Sequence, residues 1–178
     1  MHPWILALLL LLLVPASALA LDCTPDFNWT CTTNGFFNYL SGQPGEVICG
    51  VDHTGWTLNV VSVTLTTGGW VHFAAAAASG GPGTGVANAI YLMDDCGTGT
   101  CTDSAQSSGV ADLIVCLEPG THTFVVATDT TVPGAVINMG MNCLTCEQAD
   151  TYGLGACAAC GAVSVERETW GSLKSRFQ

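Results

Sequence analysis

Between Ile90 and Val126 the chain alternates short apolar runs with turn-forming stretches. Ile90-Tyr91-Leu92-Met93 ends in Asp94-Asp95-Cys96, and a loop rich in Gly, Thr and Ser carries Cys101. Leu113 to Leu117 is mostly apolar again, Glu118-Pro119-Gly120 breaks it, and Phe124-Val125-Val126 resumes it. Runs of this length suit strands better than helices, and Pro with Gly punctuates them. The stretch therefore predicts strand, loop, strand, tight turn, strand.

The same signature extends in both directions. Val61, Val63 and Leu65 alternate with Ser62, Thr64 and Thr66, the period of two expected of a half-buried strand. Strands are predicted at 46–51, 56–66, 70–74, 88–93, 112–117, 121–128 and 135–141, seven ranges in a sandwich expected to have about eight strands. Ala74 to Ala78 is helix-compatible by propensity and runs into a loop at Ser79 to Gly85. No long amphipathic pattern interrupts the strands. The expected fold class is all-β: an antiparallel, jelly-roll-like β-sandwich, stapled by disulfides, with a short C-terminal helix.

Residues 46–142 resemble the bacterial pre-peptidase C-terminal domain. Ile90-Tyr91-Leu92-Met93-Asp94 is similar to that family's strand ending in Asp. Leu117-Glu118-Pro119-Gly120-Thr121 with Phe124-Val125-Val126 is similar to its Leu-x-x-Gly-Thr-Tyr element and following strand. The chain departs from the pattern at Asn88-Ala89, where an Asp-Thr pair is common, and at His122-Thr123, where aromatic residues are usual. The resemblance implies a non-catalytic accessory sandwich that supports binding, folding or secretion.

Residues 1–20 read as a secretory signal peptide. Leu8 to Leu13 is unbroken Leu, and Pro15 to Ala20 ends in a small-x-small cleavage pattern. Cleavage before Leu21 leaves about 158 residues, enough for one core. No later segment is apolar for long enough to cross a bilayer. All ten cysteines follow the leader: Cys23, Cys31, Cys49, Cys96, Cys101, Cys116, Cys143, Cys146, Cys157 and Cys160. Behind an export signal they read as disulfides formed in an oxidising compartment, whether extracellular, cell-surface or periplasmic. Ten cysteines allow about 945 pairings, so connectivity does not follow from spacing.

Charge is distributed unevenly. Arg167, Lys174 and Arg176 are the only Lys or Arg, so residues 21–166 have none against thirteen of the fourteen acids. Such a body cannot displace counterions from a nucleic-acid backbone. Its carboxylates must be solvated, hydrogen-bonded to backbone or bound to cations.

Three constellations stand out. Cys143-Leu144-Thr145-Cys146 and Cys157-Ala158-Ala159-Cys160 have the spacing of a tetrahedral thiolate site for zinc or iron, or of disulfides. Cys96-Gly97-Thr98-Gly99-Thr100-Cys101 reads as a small disulfide loop. It is flanked by Asp94, Asp95 and Asp103, which offer oxygen ligands to calcium or are simply solvated. Trp56, Trp70, Tyr91 and the Phe36-Phe37-Tyr39 cluster either stack a sugar or fill the core. His72 and His122 read as surface or edge-strand residues. No Gly-x-Ser-x-Gly elbow, His-Glu-x-x-His helix or phosphate-cradling loop supports catalysis.

The predicted organisation is a signal peptide (1–20), a Cys- and aromatic-rich segment (21–45), the sandwich (46–142), a Cys-pair segment (143–161) and a tail (162–178). In the tail, Trp170, Leu173 and Phe177 share one face of a helix that Thr169 can cap. The tail is similar to Trp-Gly-x-x-Lys tails of some secreted bacterial proteins, which implies docking or sorting. The functional expectation is a secreted, non-catalytic module that binds an extracellular carbohydrate or protein, with no cofactor beyond calcium. Alternatives are a self-associating subunit of a surface layer or filament, and a small zinc or iron protein.

Overall fold

The computed structural model describes residues 21–31, 37–39, 42–79 and 85–154. The signal-peptide, Cys157, Cys160 and tail expectations lie outside them. The strands are β1 (Phe27–Thr30), β2 (Phe37–Tyr39), β3 (Gln43–Pro44), β4 (Val47–Ile48), β5 (Val51–Asp52), β6 (Thr57–Leu65), β7 (Gly69–Ser79), β8 (Asn88–Asp95), β9 (Thr100–Ser107), β10 (Val110–Leu117), β11 (Gly120–Thr128) and β12 (Ala135–Cys143). One helical turn, α1 (Cys146–Thr151), follows. Thr145 caps it: its hydroxyl accepts from the Gln148 amide while the Gln148 side chain accepts from the Thr145 amide.

One sheet runs β1-β6-β11-β8-β9, with β3 also on β6; the other runs β10-β7-β12-β2. From β6 to β12 every connection but the β8–β9 hairpin passes from one sheet to the other, the wiring of a jelly-roll-like sandwich. The pairing is antiparallel except for β1, which lies parallel to β6. The 21–45 segment contributes β1 to one sheet and β2 to the other.

Side-chain alternation divides the interior into two cores. Val61 and Val63 of β6, Ile90 and Leu92 of β8, and Phe124 and Val126 of β11 face the second sheet. Phe73 of β7 stacks there between Trp29 of β1, at 5.5 Å, and Phe124, at 4.8 Å. The intervening residues, Leu58, Val60, Ala89, Tyr91, Val125 and Ala127, point the other way, into a second core on the outer face of the first sheet. Three central strands buried on both faces explain the unbroken apolar runs at 89–93 and 124–127.

That outer face is covered by a cap built from Leu21, Cys23, the β4–β5 hairpin and the turn from His53 to Trp56. Cys49 and Gly50, at φ 52° and 79°, form the two-residue hairpin turn, which requires positive φ at both positions. The Cys49 amide donates to the Gly99 carbonyl at 3.0 Å. Gly45 lies so close to the His53 carbonyl that a Cβ there would overlap it.

Three disulfides are described: Cys23–Cys96, Cys49–Cys101 and Cys31–Cys143, with Cα separations of 6.0, 5.6 and 5.3 Å. The first two staple the cap to the β8–β9 turn, and the third joins the end of β1 to the end of β12. Cys116 is also disulfide-bonded. Such bridges belong to a chain that folds outside the cytoplasm.

Three sequence readings are corrected. Cys96 and Cys101 do not close a small loop: Cys101 lies opposite Met93, while Cys96 lies beyond the Asp95–Thr100 pair, so the two do not face each other. Ala74 to Ala78 is strand, because β7 is paired on both sides, with β10 and β12, and this overrides the helix propensity of Ala. Thr100 to Ser107, read as loop, is the edge strand β9. Its outward-facing polar residues conceal it from a hydrophobic pattern.

Removing the Cys49–Cys101 bridge with the Cys49→Ala/Cys101→Ala pair is expected to lower stability by about 2–4 kcal/mol in a denaturant titration. Hydrogen exchange should locate the change: amides of β4 and β5 lose protection and those of β11 keep it.

Candidate functional site

A cleft of about 430 Å³ opens at the rim where the two sheets meet. The Glu118-Pro119 turn carries the chain there from β10 in one sheet to β11 in the other. Gly120, at φ 145°, completes the reversal in a conformation that disfavours side chains. Asp94 and Thr102 line the opposite wall. Both are left out of the β8–β9 register, which slips between Leu92 and Asp95, so a bulge turns them from ladder positions to the cleft.

The cleft is polar and anionic. Asp94 and Glu118 line it with Thr102, Thr121 and Thr123 and with Leu92 and Leu117; the Thr121 hydroxyl is hydrogen-bonded to that of Thr64 at 3.2 Å. His122 donates from Nε2 to the Glu118 carbonyl at 2.8 Å, which ties the turn to β11. All the Lys and Arg lie at 167–176, outside the described residues, so no described cation neutralises the carboxylates.

Elsewhere the acids serve turns. Asp22, Asp52, Asp95 and Asp129 each accept the backbone N–H two residues on, at 2.9, 2.8, 2.9 and 3.0 Å. The amide and hydroxyl of Thr24 hold Asp22 below the usual carboxylate range, and the hydroxyl and amide of Thr54 do the same for Asp52. Asp95 also accepts from the Thr98 hydroxyl at 3.0 Å, and Asp103 accepts from the Ser104 amide at 2.8 Å. Asp94, Asp95 and Asp103 are not gathered into one group, and among the described residues no three His, Cys, Asp or Glu are placed to hold a metal. The four-thiolate reading of Cys143, Cys146, Cys157 and Cys160 is also corrected. The Cys143 sulfur is bonded to Cys31 and is not a thiolate ligand.

The three described histidines occupy separate places. His72 donates from Nε2 to Asp112 at 2.7 Å on the second sheet, beside the ring of Tyr152. His122 lies at the cleft. His53 is 1% exposed beneath the cap, with Nε2 2.6 Å from the Tyr91 hydroxyl, which also accepts from the Gln106 side-chain Nε2 at 2.9 Å. The His53 ring packs between Tyr91 and Trp56, with centroids 5.4 and 4.5 Å away. Of the aromatic candidates, Tyr91 is core, while Trp56 and Trp70 are half-buried; the side chains of Phe36, Phe37 and Tyr39 lie outside the described set. The sequence held one unused signal for the polar cluster. A Tyr inside an apolar run buried on both faces needs a partner for its hydroxyl.

No protein-family profile and no curated protein matches the chain. Among solved structures, it is similar to the pre-peptidase C-terminal domain of a collagenase from Bacillus anthracis, at 12% identity and TM-score 0.41, over 66% of this chain and 96% of that one. This is the domain type that the 90–94 and 117–126 segments resemble. The chain is also similar to a cycloisomaltooligosaccharide glucanotransferase from Paenibacillus, at 16% identity and TM-score 0.32, over 61% of this chain and 16% of that one.

Tyr91→Phe leaves His53 and Gln106 without their shared partner. It is expected to cost about 1–3 kcal/mol in thermal or denaturant unfolding. A loss below about 0.5 kcal/mol would show that the hydroxyl is not needed there.

Proposed function

We propose that this chain is a secreted, non-catalytic β-sandwich module that binds an extracellular partner at the rim cleft. The observation that carries the reading is the cleft's composition. Two acidic residues and three threonines line an open space in a body with no Lys or Arg from residue 21 to 166. A partner that brings its own cations satisfies those carboxylates, so a Lys- or Arg-bearing segment of an extracellular protein fits best. A neutral carbohydrate would use the hydroxyls alone.

The test is calorimetric titration of the purified protein with a Lys-rich peptide and, separately, with neutral oligosaccharides. Peptide binding that weakens roughly five- to tenfold in the Asp94→Asn/Glu118→Gln pair, and weakens with salt, supports the reading. Sugar binding indifferent to those substitutions moves the partner to carbohydrate, and binding of neither removes the cleft as the site.

A second reading, self-association, is favoured by β9. It is the sheet's edge, pairs only with β8 among the described residues, and carries no Lys or Pro to block a further strand. Sedimentation at rising concentration should then show dimers or higher species, which Ala105→Pro on that edge weakens. A monomer throughout excludes it.

A further inference from the structure

The cap holds a buried titratable group that the rim cleft does not use. His53 Nε2 is bonded to the Tyr91 hydroxyl, whereas His53 Nδ1 is buried with no hydrogen-bond partner. A neutral imidazole tolerates this, because one nitrogen is bonded and the other needs only to be unopposed. An imidazolium has two N–H donors, and in this position the second would be a buried, charge-bearing donor with no acceptor. Burial therefore holds the His53 pKa below its ordinary value, with the Asp52 carboxylate pulling weakly the other way.

The groups around His53 do not relieve this. Asp52, its neighbour on β5, is exposed and already accepts from the Thr54 amide and hydroxyl. Glu46 accepts the His53 amide through its backbone carbonyl, and burial raises the pKa of its carboxyl, which opposes ionisation. Tyr91 from β8 and Gln106 from β9 are neutral, and burial raises the Tyr91 pKa further.

We propose that the cap is a proton-operated latch. Protonation of His53 breaks its packing against Tyr91 and Trp56 and lets the 51–56 side of the cap swing off the sheet, hinged where Cys49 stays bonded to Cys101. The Cys23–Cys96 and Cys49–Cys101 bridges keep the lifted cap tethered. Lifting uncovers Tyr91, Val125 and Ala127, an apolar strip on the outer face of the sheet. The sign follows from proton binding. The open form takes up a proton below about pH 6.5, and the closed form does so only at lower pH. Acidification through that window therefore favours opening, by about tenfold per pH unit.

The test is hydrogen exchange of the full chain between pH 7.5 and 5, expressed as protection factors, with a parallel NMR titration of the His53 ring and the fluorescence of an apolar dye. Amides of 51–56 should lose protection by about tenfold per pH unit below 6.5, while β11 and β12 keep theirs. The dye should brighten, and His53→Gln should abolish the pH dependence. The wild-type ring titration keeps the proposal testable if that variant does not fold, because its midpoint must fall below 6.5 and match the end of the protection change. Cap protection that is flat with pH, or equal loss in β11, would overturn the latch.

Discussion

The constraint on which the rest depends is the burial of the first sheet on both faces. Strands β6, β8 and β11 send alternate side chains into the sandwich core and into the core beneath the cap. A sheet buried on one face can leave the other to water, but one with Val60, Tyr91 and Val125 on its second face cannot. The cap exists to cover them. Apolar packing, the His53–Tyr91 hydrogen bond and the two disulfides to Cys96 and Cys101 together hold it there. The left-handed Cys49 fits this account: a costly backbone position is tolerated where a sulfur bridge and an amide hydrogen bond both hold it.

The electrostatics follow a second rule. Without Lys or Arg in the body, the carboxylates cannot be neutralised by ordinary ion pairs, and Asp112 accepts a hydrogen bond from His72. Four aspartates instead fold back onto the amide two residues on and close turns. Of the others, Asp26 accepts the Val60 amide, Asp103 accepts the Ser104 amide and Asp112 is bonded to His72. Asp94, turned outward by a bulge, and Glu118, on the rim turn, are both found at the cleft.

Much of the sandwich was legible in the sequence because its signals are local. The period of two in β6 and the Glu-Pro-Gly break before β11 need no knowledge of distant partners. What was not legible depended on the other side of the molecule. The alanines of β7 are strand because of β10 and β12, and β9 is strand because β8 offers it an edge. Cys96 and Cys101 look like partners in sequence, yet each finds its sulfur in a segment more than fifty residues away. The cleft was half visible: Asp94 and Glu118 lay within recognisable elements, but only the crossing between sheets brings them to one rim. His53 showed nothing, since its role comes from a tyrosine on another strand.

The bridge from Cys31 to Cys143 has a mechanical consequence. It ties the exit of β1 to the exit of β12, so nearly the whole sandwich lies inside one covalent ring. Tension applied to the segments on either side runs through this bridge and through Cys23–Cys96, and of the sheet ladders it bears first on β1 against β6. Under such a pull the fold would contribute little extensible length until that bridge is reduced, and even then only the chain between Cys96 and Cys143 would be released, because Cys23–Cys96 still spans the earlier strands.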